Sequence, residues 1–294
     1  MIQNVADILV TGLILGGIYA LIAVGLTLQY GVGRVLNVSH GEFILLGALS
    51  TYTLYTVFGI SPLVAIAFVT PLLFVVGYFL DRTLYNYLRK KAPNADAFSG
   101  TSLLASFGLV FVIQNLMLLI WDANLKGYSY LNKSVSIFGA LYGLNRLLAL
   151  AVAVGVSVIF YIFIRSTRLG KAIRAAAENP TMAQVMSVNV KQVLAICFGL
   201  GAAMAGLAGI LYSMMFELQA GKGIELTIIA IVVIVFGGLG SISGSLIGGF
   251  VLGLVTSIVN FIDPSLSLVA FYFIFILLLL FKPSGILGRQ IHAD

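Results

Sequence analysis

Apolar runs of roughly 20 residues, separated by short polar breaks, fill nearly the whole chain. About 20 consecutive apolar residues is what a helix rising 1.5 Å per residue needs to cross a hydrocarbon core about 30 Å thick. On that rule, spans are predicted near 8–30, 41–59, 62–81, 99–121, 145–165, 190–214, 225–237, 242–260 and 264–281. The seventh is too short to cross comfortably and is expected to be discontinuous. The fold class is therefore an all-α polytopic membrane protein with about 8–9 transmembrane helices, some of them discontinuous, built as a single domain over 1–294. Residues 1–25 are read as the first span rather than a cleavable signal, because Asp7 is their only charge and no clear small-residue cleavage site follows.

The polar breaks differ in kind. The longest runs from Arg165 to Lys191. Within it Arg168, Lys171 and Arg174 recur every third residue on an Ala-rich, helix-favouring segment that Pro180 ends. A second short helix is expected to start there, with Asn179 as its cap, Pro180 in its first position, and Met182, Val185 and Met186 on one face. Glu178 lies one turn from Arg174 and can pair with it or with a partner. The stretch 82–98, with Arg82, Arg89, Lys90 and Lys91, reads as a second basic loop, and 122–144, with Trp121, Tyr128, Tyr130, Phe138 and Tyr142, as an aromatic interfacial cover.

Composition supports the same class. Of the 294 residues, 61% are hydrophobic and 9% charged, with a mean hydropathy of +1.11, far outside the range of a soluble domain. The net charge of +6 does not point to nucleic acid, since nine of the sixteen basic residues sit in 82–91 and 165–191. Under the positive-inside rule both are cytoplasmic, which puts the N-terminus outside and the C-terminus, with Lys282 and Arg289, inside. Arg146, Lys126 and Lys133 weakly oppose that orientation. The single cysteine, Cys197, lies in an apolar run, so no intrachain disulfide can form and a packing role is expected.

Most of the 32 glycines fall where small residues let helices approach closely, as at Gly12, Gly16 and Gly17, at Gly199, Gly201, Gly206 and Gly209, and at Gly244, Gly248, Gly249 and Gly253. Two clusters, Gly31–Gly41 and Phe236–Gly244, are too polar for continuous helix and interrupt apolar runs instead. There is also an internal echo. Gly41-Glu42 and Gly223-Ile-Glu225 each put a glycine and a glutamate at the head of an apolar run, as a possible internal repeat would. Transporters built from repeats place broken helices at corresponding positions near the midplane. Asn37, Ser39, His40, Gly41, Glu42, Gly223, Glu225, Gly237 and Gly238 are therefore the candidates for the lining of a pathway, with a capping cluster at a helix end as the alternative for His40 and Glu42.

Catalytic and metal chemistry find little support. A zinc site needs further ligands, and the only other histidine is His292. The pair Ser39–His40 is a poor nucleophile and base, because sequence neighbours rarely have the geometry. Few titratable groups lie inside the spans, which speaks against ion coupling; a stand-alone secondary transporter or channel stays as the more distant alternative. No Gly-x-x-x-x-Gly-Lys-Ser/Thr loop is present, so this chain does not hydrolyse ATP as a P-loop enzyme does.

Several motifs carry a resemblance. Leu169-Gly-Lys-Ala-Ile-Arg-Ala, Glu178-Asn-Pro, Ala183 and Val188-Asn-Val resemble the cytoplasmic coupling loop of membrane permease subunits of branched-chain amino acid ABC importers. Asn37-Val-Ser-His-Gly-Glu-Phe, Gly237-Gly-Leu-Gly-Ser with Gly244, and Pro283-Ser-Gly-Ile-Leu-Gly-Arg are similar to further signatures of that family, so the match covers nearly the whole chain. The resemblance implies a permease domain with a coupling loop at 165–191, in which Arg174, Glu178, Asn179, Pro180, Met182, Ala183, Met186 and Ser187 contact an ATPase, with Ala183 as a close-approach point. It implies a second, homologous permease subunit, two ATPase subunits that bind the ATP, a substrate-binding protein, membrane lipid around the helices, no cofactor of the chain's own, and a place in a bacterial or archaeal cell membrane. Alternating access is the implied mechanism. The pathway candidates are small, neutral or weakly polar, so the binding protein is expected to select the substrate. Two positions depart from the family pattern. Ser187 stands where a glycine is usual, which moves a left-handed turn onto the serine or to Asn189. Ile229 stands where many relatives have lysine, which opens the substrate to urea, short amides or aromatic acids.

Overall fold

The computed structural model describes residues 2–137, 140–282 and 285–287. Its helices are α1 (Ile2–Gly33), α2 (His40–Phe58), α3 (Pro62–Leu80), α4 (Asn86–Lys91), α5 (Ala95–Trp121), α6 (Leu144–Ser166), α7 (Arg168–Glu178), α8 (Pro180–Val185), α9 (Val190–Ser213), α10 (Gly223–Gly237), α11 (Ile242–Ile262) and α12 (Ser267–Phe281). One antiparallel hairpin, β1 (Ser134–Ile137) with β2 (Ala140–Gly143), interrupts them. Each of the nine predicted spans coincides with a helix. Among the described residues seven helices are long and apolar enough to cross a membrane. α2 is diluted by Ser50, Thr51, Thr53 and Thr56. α10, with 15 residues, reaches only about 22 Å.

α9 is the central helix. It is buried along nearly its whole length, packed against α1, α2 and α3, while α11 packs on α1. Lipid is as apolar as leucine, so nothing hydrophobic drives these helices together; close backbone approach does. Gly209 lies against the Ile44 carbonyl, Gly201 against the Gly25 carbonyl, and Gly249 against the backbone of Ala20. A few hydroxyls pin the register, with Thr27 bonded to Ser245 and the Ser257 hydroxyl donating to the Ile8 carbonyl at 2.8 Å. α5 and α12 are peripheral and turn most of their apolar surface outward.

The two ends of the bundle differ. At one, Trp121 donates to Thr53 at 2.7 Å, Tyr55 donates to the Ser129 carbonyl at 3.0 Å, and Tyr128 shares a 2.8 Å bond with Ser213. Burial pushes the Tyr128 phenol up to about 12. This is the aromatic cover expected from composition, with the hairpin as an addition that apolar periodicity could not show; Phe138 lies outside the described residues. A cavity of about 560 Å³ opens here, lined by Asn132, Asn145, Ser213 and Glu217 among others.

The opposite end carries the basic segments, and one of them corrects the expectation of a loop. α3 does not stop at 81. A π turn over Asp81–Tyr85 passes it into α4, and helix continues to Lys91. Charged residues on one side of a helix do not break it; the break comes at Ala92–Asn94, where Asn94 caps α5 by accepting from Ala97 N–H at 2.8 Å. Within the turn, buried Asp81 pairs with Arg89 at 3.0 Å, and the Arg89 guanidinium lies 5.1 Å from the Phe98 ring centre.

The close-approach account separates glycines by position. Gly249→Val, whose Cβ would overlap Ala20 backbone, is expected to destabilise by at least the 1–3 kcal/mol or so typical of overpacking. Gly108→Val, with open space where its Cβ would sit, should be near neutral. Thermal unfolding of the two purified variants in detergent checks this; equal midpoints would contradict it.

Candidate functional site

The break between α1 and α2 is what builds the site. Arg34 takes a left-handed conformation (φ 54°) and the chain then runs back along α1 in an extended stretch before α2 begins. His40 Nε2 lies 3.0 Å from the Ile22 carbonyl, eleven residues short of Gly33 and so about 16 Å back along α1. α2 therefore starts inside the bundle. α10 starts beside it, with Gly223 buried and Lys222, Ile224 and Glu225 exposed. The segment 214–222 leaves the aromatic end, where Leu218 is paired with Lys126, and descends to Gly223, where α10 begins. The two N-termini meet. A Cβ on Gly41 would overlap the Gly223 carbonyl oxygen, and a Cβ on Gly223 would overlap the Glu42 carboxylate. Only glycine permits that approach.

One hydroxyl that sequence reading missed closes the junction. Thr227 Oγ1 accepts from Gly41 N–H and donates to the Val38 carbonyl, both at 2.8 Å. Thr227 is an ordinary threonine in an apolar run, and nothing in its spacing marks it. Gln29 was missed for the same reason: its Oε1 accepts from Asn37 Nδ2 at 3.0 Å and its Nε2 donates to the Phe198 carbonyl at 3.3 Å, tying the extended stretch to α9.

Glu42 is the anomaly. Ser39-His-Gly-Glu42 has the form of a capping box, in which serine and glutamate would each satisfy a backbone N–H at the helix start. The box does not form. Ser39 Oγ and N–H both donate to Asn37 Oδ1, at 2.6 and 3.1 Å, Glu42 N–H donates to the Ser39 carbonyl at 3.0 Å, and no side chain caps α2. Both Glu42 carboxylate oxygens are buried without a hydrogen-bond partner and lie against Gly223.

The pathway candidates do not all meet at this junction. Asn37, Ser39, His40 and Glu42 are fully buried within this chain, while Glu225 is exposed. Gly237 and Gly238 lie at the far end of α10, in a tight turn to α11 where Gly238 and Gly240 take φ of 104° and 81° and Ser241 caps α11 through Gly244 N–H. There Ile286 N–H bonds the Phe236 carbonyl at 2.9 Å and Leu287 N–H the Gly237 carbonyl at 3.1 Å. Pro283, Ser284, Gly288, Arg289 and His292 lie outside the described residues.

The polar loop forms two helices as its residues predict. Thr167 caps α7 by accepting from Gly170 N–H, and Asn179 caps α8 by accepting from Met182 N–H, both at 3.0 Å, with Pro180 in the first position of α8. Met182, Val185 and Met186 are 62%, 74% and 77% exposed. Glu178, Asn179 and Pro180 are also at the surface. Ala183 faces the other way, and Arg174, though exposed, bonds within the chain. Ala183 is 4% exposed and packs into the chain's own core, and the Arg174 guanidinium bonds the Ile164 carbonyl at the last turn of α6, where a cation suits the helix dipole. Helical spacing alone could not tell which face of so short a helix its own bundle would claim. Ser187 makes the left-handed turn itself (φ 62°), with Ser187 N–H on the Gln184 carbonyl and Val188 N–H on the Ala183 carbonyl, both at 3.0 Å. That is a Schellman end with serine in the glycine position. Asn189 is left free to cap α9 through Gln192 N–H at 3.1 Å.

Comparison with known proteins identifies the family. Residues 8–280 match the family described as the permease component of the branched-chain amino acid transport system. The chain belongs to that family. It is 33% identical to the high-affinity branched-chain amino acid transport system permease protein BraD of Pseudomonas aeruginosa, over 96% of this chain and 95% of that one. It is 30% identical to LivH of Escherichia coli (95% and 94% covered) and 28% identical to a probable LivH of Methanocaldococcus jannaschii (86% and 81%). Among solved structures, PsaBC from Streptococcus pneumoniae in complex with a Fab shares the fold, with a TM-score of 0.50 at 12% identity over 96% of this chain and 92% of that chain. In this permease the unusual serine at 187 is accommodated without moving the turn, and Ile229 is a partly buried residue of α10 packed against the core.

Because Ser187 holds a left-handed φ at a cost of about 1–2 kcal/mol that glycine mostly avoids, Ser187→Gly is expected to make the loop more resistant to proteolysis. Asn179→Ala, which removes a cap of about 1 kcal/mol, should make it less resistant. Limited digestion of the purified permease reads both; the opposite order would contradict the assignment of turn and cap.

Proposed function

We propose that this permease forms the translocation pathway of an ATP-driven importer of branched-chain amino acids, working with a second homologous permease, two cytoplasmic ATPase subunits and a substrate-binding protein in a prokaryotic cell membrane. The observation that carries the reading is α8. Three large apolar side chains at spacings of three and four stand exposed at the basic end of the molecule, on a helix capped at both ends. An apolar face this exposed outside the span suits a protein groove, which takes short helices through i, i+3, i+4 anchors. The basic end is cytoplasmic under the positive-inside rule, the side on which ATP is available. ATP bound by the partners then drives closure, α8 carries the movement into α7 and the bundle, and the junction of α2 and α10 alternates its access. Asn37, Ser39, His40, Gly41, Glu42, Gly223 and Glu225 belong to that pathway, and Gly237 and Gly238 to its inner hinge.

The inward position of Ala183 changes which substitutions test the contact. Met182→Asp and Met186→Asp, on the exposed face, should leave the two permeases folded and paired but reduce recovery of the ATPase subunits at least fivefold. Glu178→Lys should do the same or uncouple hydrolysis from uptake. Co-purification of the expressed complex, followed by leucine uptake in proteoliposomes with binding protein and ATP, checks both. Full recovery and parental uptake in the aspartate variants would remove the coupling role.

A further inference from the structure

A carboxylate that is fully buried, has no hydrogen-bond partner and has turned away from the backbone N–H groups its own motif would give it is costly to keep. Glu42 does so at a particular place. It lies against Gly223, the first residue of α10, and so beside the positive end of that helix dipole. α10 is itself uncapped. Lys222 in its cap position makes no side-chain cap bond, and the Thr227 hydroxyl is already bonded to Gly41 N–H and the Val38 carbonyl. Orphan N–H groups at a helix start are a ready site for an anion. One unpaired carboxylate beside one uncapped helix start is a dipolar receptor, and its complement is a zwitterion.

We propose that this junction binds the headgroup of an α-amino acid, with Glu42 taking the ammonium and the first-turn N–H groups of α10 taking the carboxylate. The inference rests on the reading that the chain carries amino acids and adds to it that the permease itself recognises the headgroup, leaving the side chain to the binding protein. The route in is laid out by the chain. Residues 213–217 line the cavity at the aromatic end, and six residues further the same segment reaches Gly223. Thr227 is the bond that must part to admit the ligand.

The test uses the whole complex in lipid, with leucine as the probe. Glu42→Gln keeps the shape and removes the charge. It should lower leucine uptake at saturating loaded binding protein at least tenfold, while ATP hydrolysis stimulated by that protein stays within about twofold. Glu42→Asp, which keeps the charge, should retain at least a third of parental uptake. Without binding protein, leucine should displace radiolabelled leucine from the complex at least tenfold better than 4-methylpentanoate, which has the same side chain and carboxylate but no ammonium, and Glu42→Gln should abolish that preference. Parental uptake or an unchanged preference in Glu42→Gln would overturn this inference while leaving the importer reading in place, as would equal loss in the Asp and Gln variants of an assembled complex. No leucine uptake by the parental complex would overturn the importer reading and this inference together.

Discussion

Backbone against backbone contact at glycine is the constraint on which the rest of this molecule depends. Gly41 and Gly223 let two helix starts touch inside the bundle, Gly209 and Gly201 seat α2 and α1 on α9, and Gly249 seats α11 on α1. In lipid such contacts replace the hydrophobic drive that holds a soluble core together. They also limit what the bundle can do. Interfaces packed this closely have few intermediate arrangements, so movement is expected as whole helices shifting between two packings rather than as gradual deformation.

The interior break follows from the same economy of polar groups. Lipid tolerates non-helical backbone only where protein satisfies it. The stretch after α1 meets that condition through Asn37, Gln29 and Ser39, with His40 bonded to Ile22 and Thr227 bridging to Val38. The Glu42 carboxylate and His40 Nδ1 are left over. The first-turn N–H groups of their own helix are already committed, to the Asn37 and Ser39 carbonyls and to Thr227.

How much of this the sequence disclosed varied with the kind of signal. All nine apolar runs became helices because run length in a bilayer is close to a sufficient cause. Asn179, Pro180 and Ser187 were legible because caps and left-handed turns are local. The echo of Gly41-Glu42 with Gly223-Ile-Glu225 pointed to two segments that the fold does bring together, although Glu225 ends up exposed and Gly237 and Gly238 lie about 21 Å further along α10. The inward turn of Ala183, the Arg174 bond to α6 and the closure by Thr227 were illegible, since each depends on which surface another element presents. The helix running on to Lys91 was hidden for a different reason. Charge density marks the edge of the bilayer and says nothing about where helix stops.

The central claim is that the meeting point of α2 and α10 is the gate of the pathway, shut in the conformation described and opened during transport. The most direct measurement is thiol accessibility at that point, with Cys197 replaced by alanine and Thr227 by cysteine in the assembled complex. In the resting state the thiol should be protected from a membrane-impermeant reagent added to either side. During turnover with ATP and loaded binding protein its labelling rate should rise at least tenfold. A rate that is the same at rest and in turnover would contradict the account.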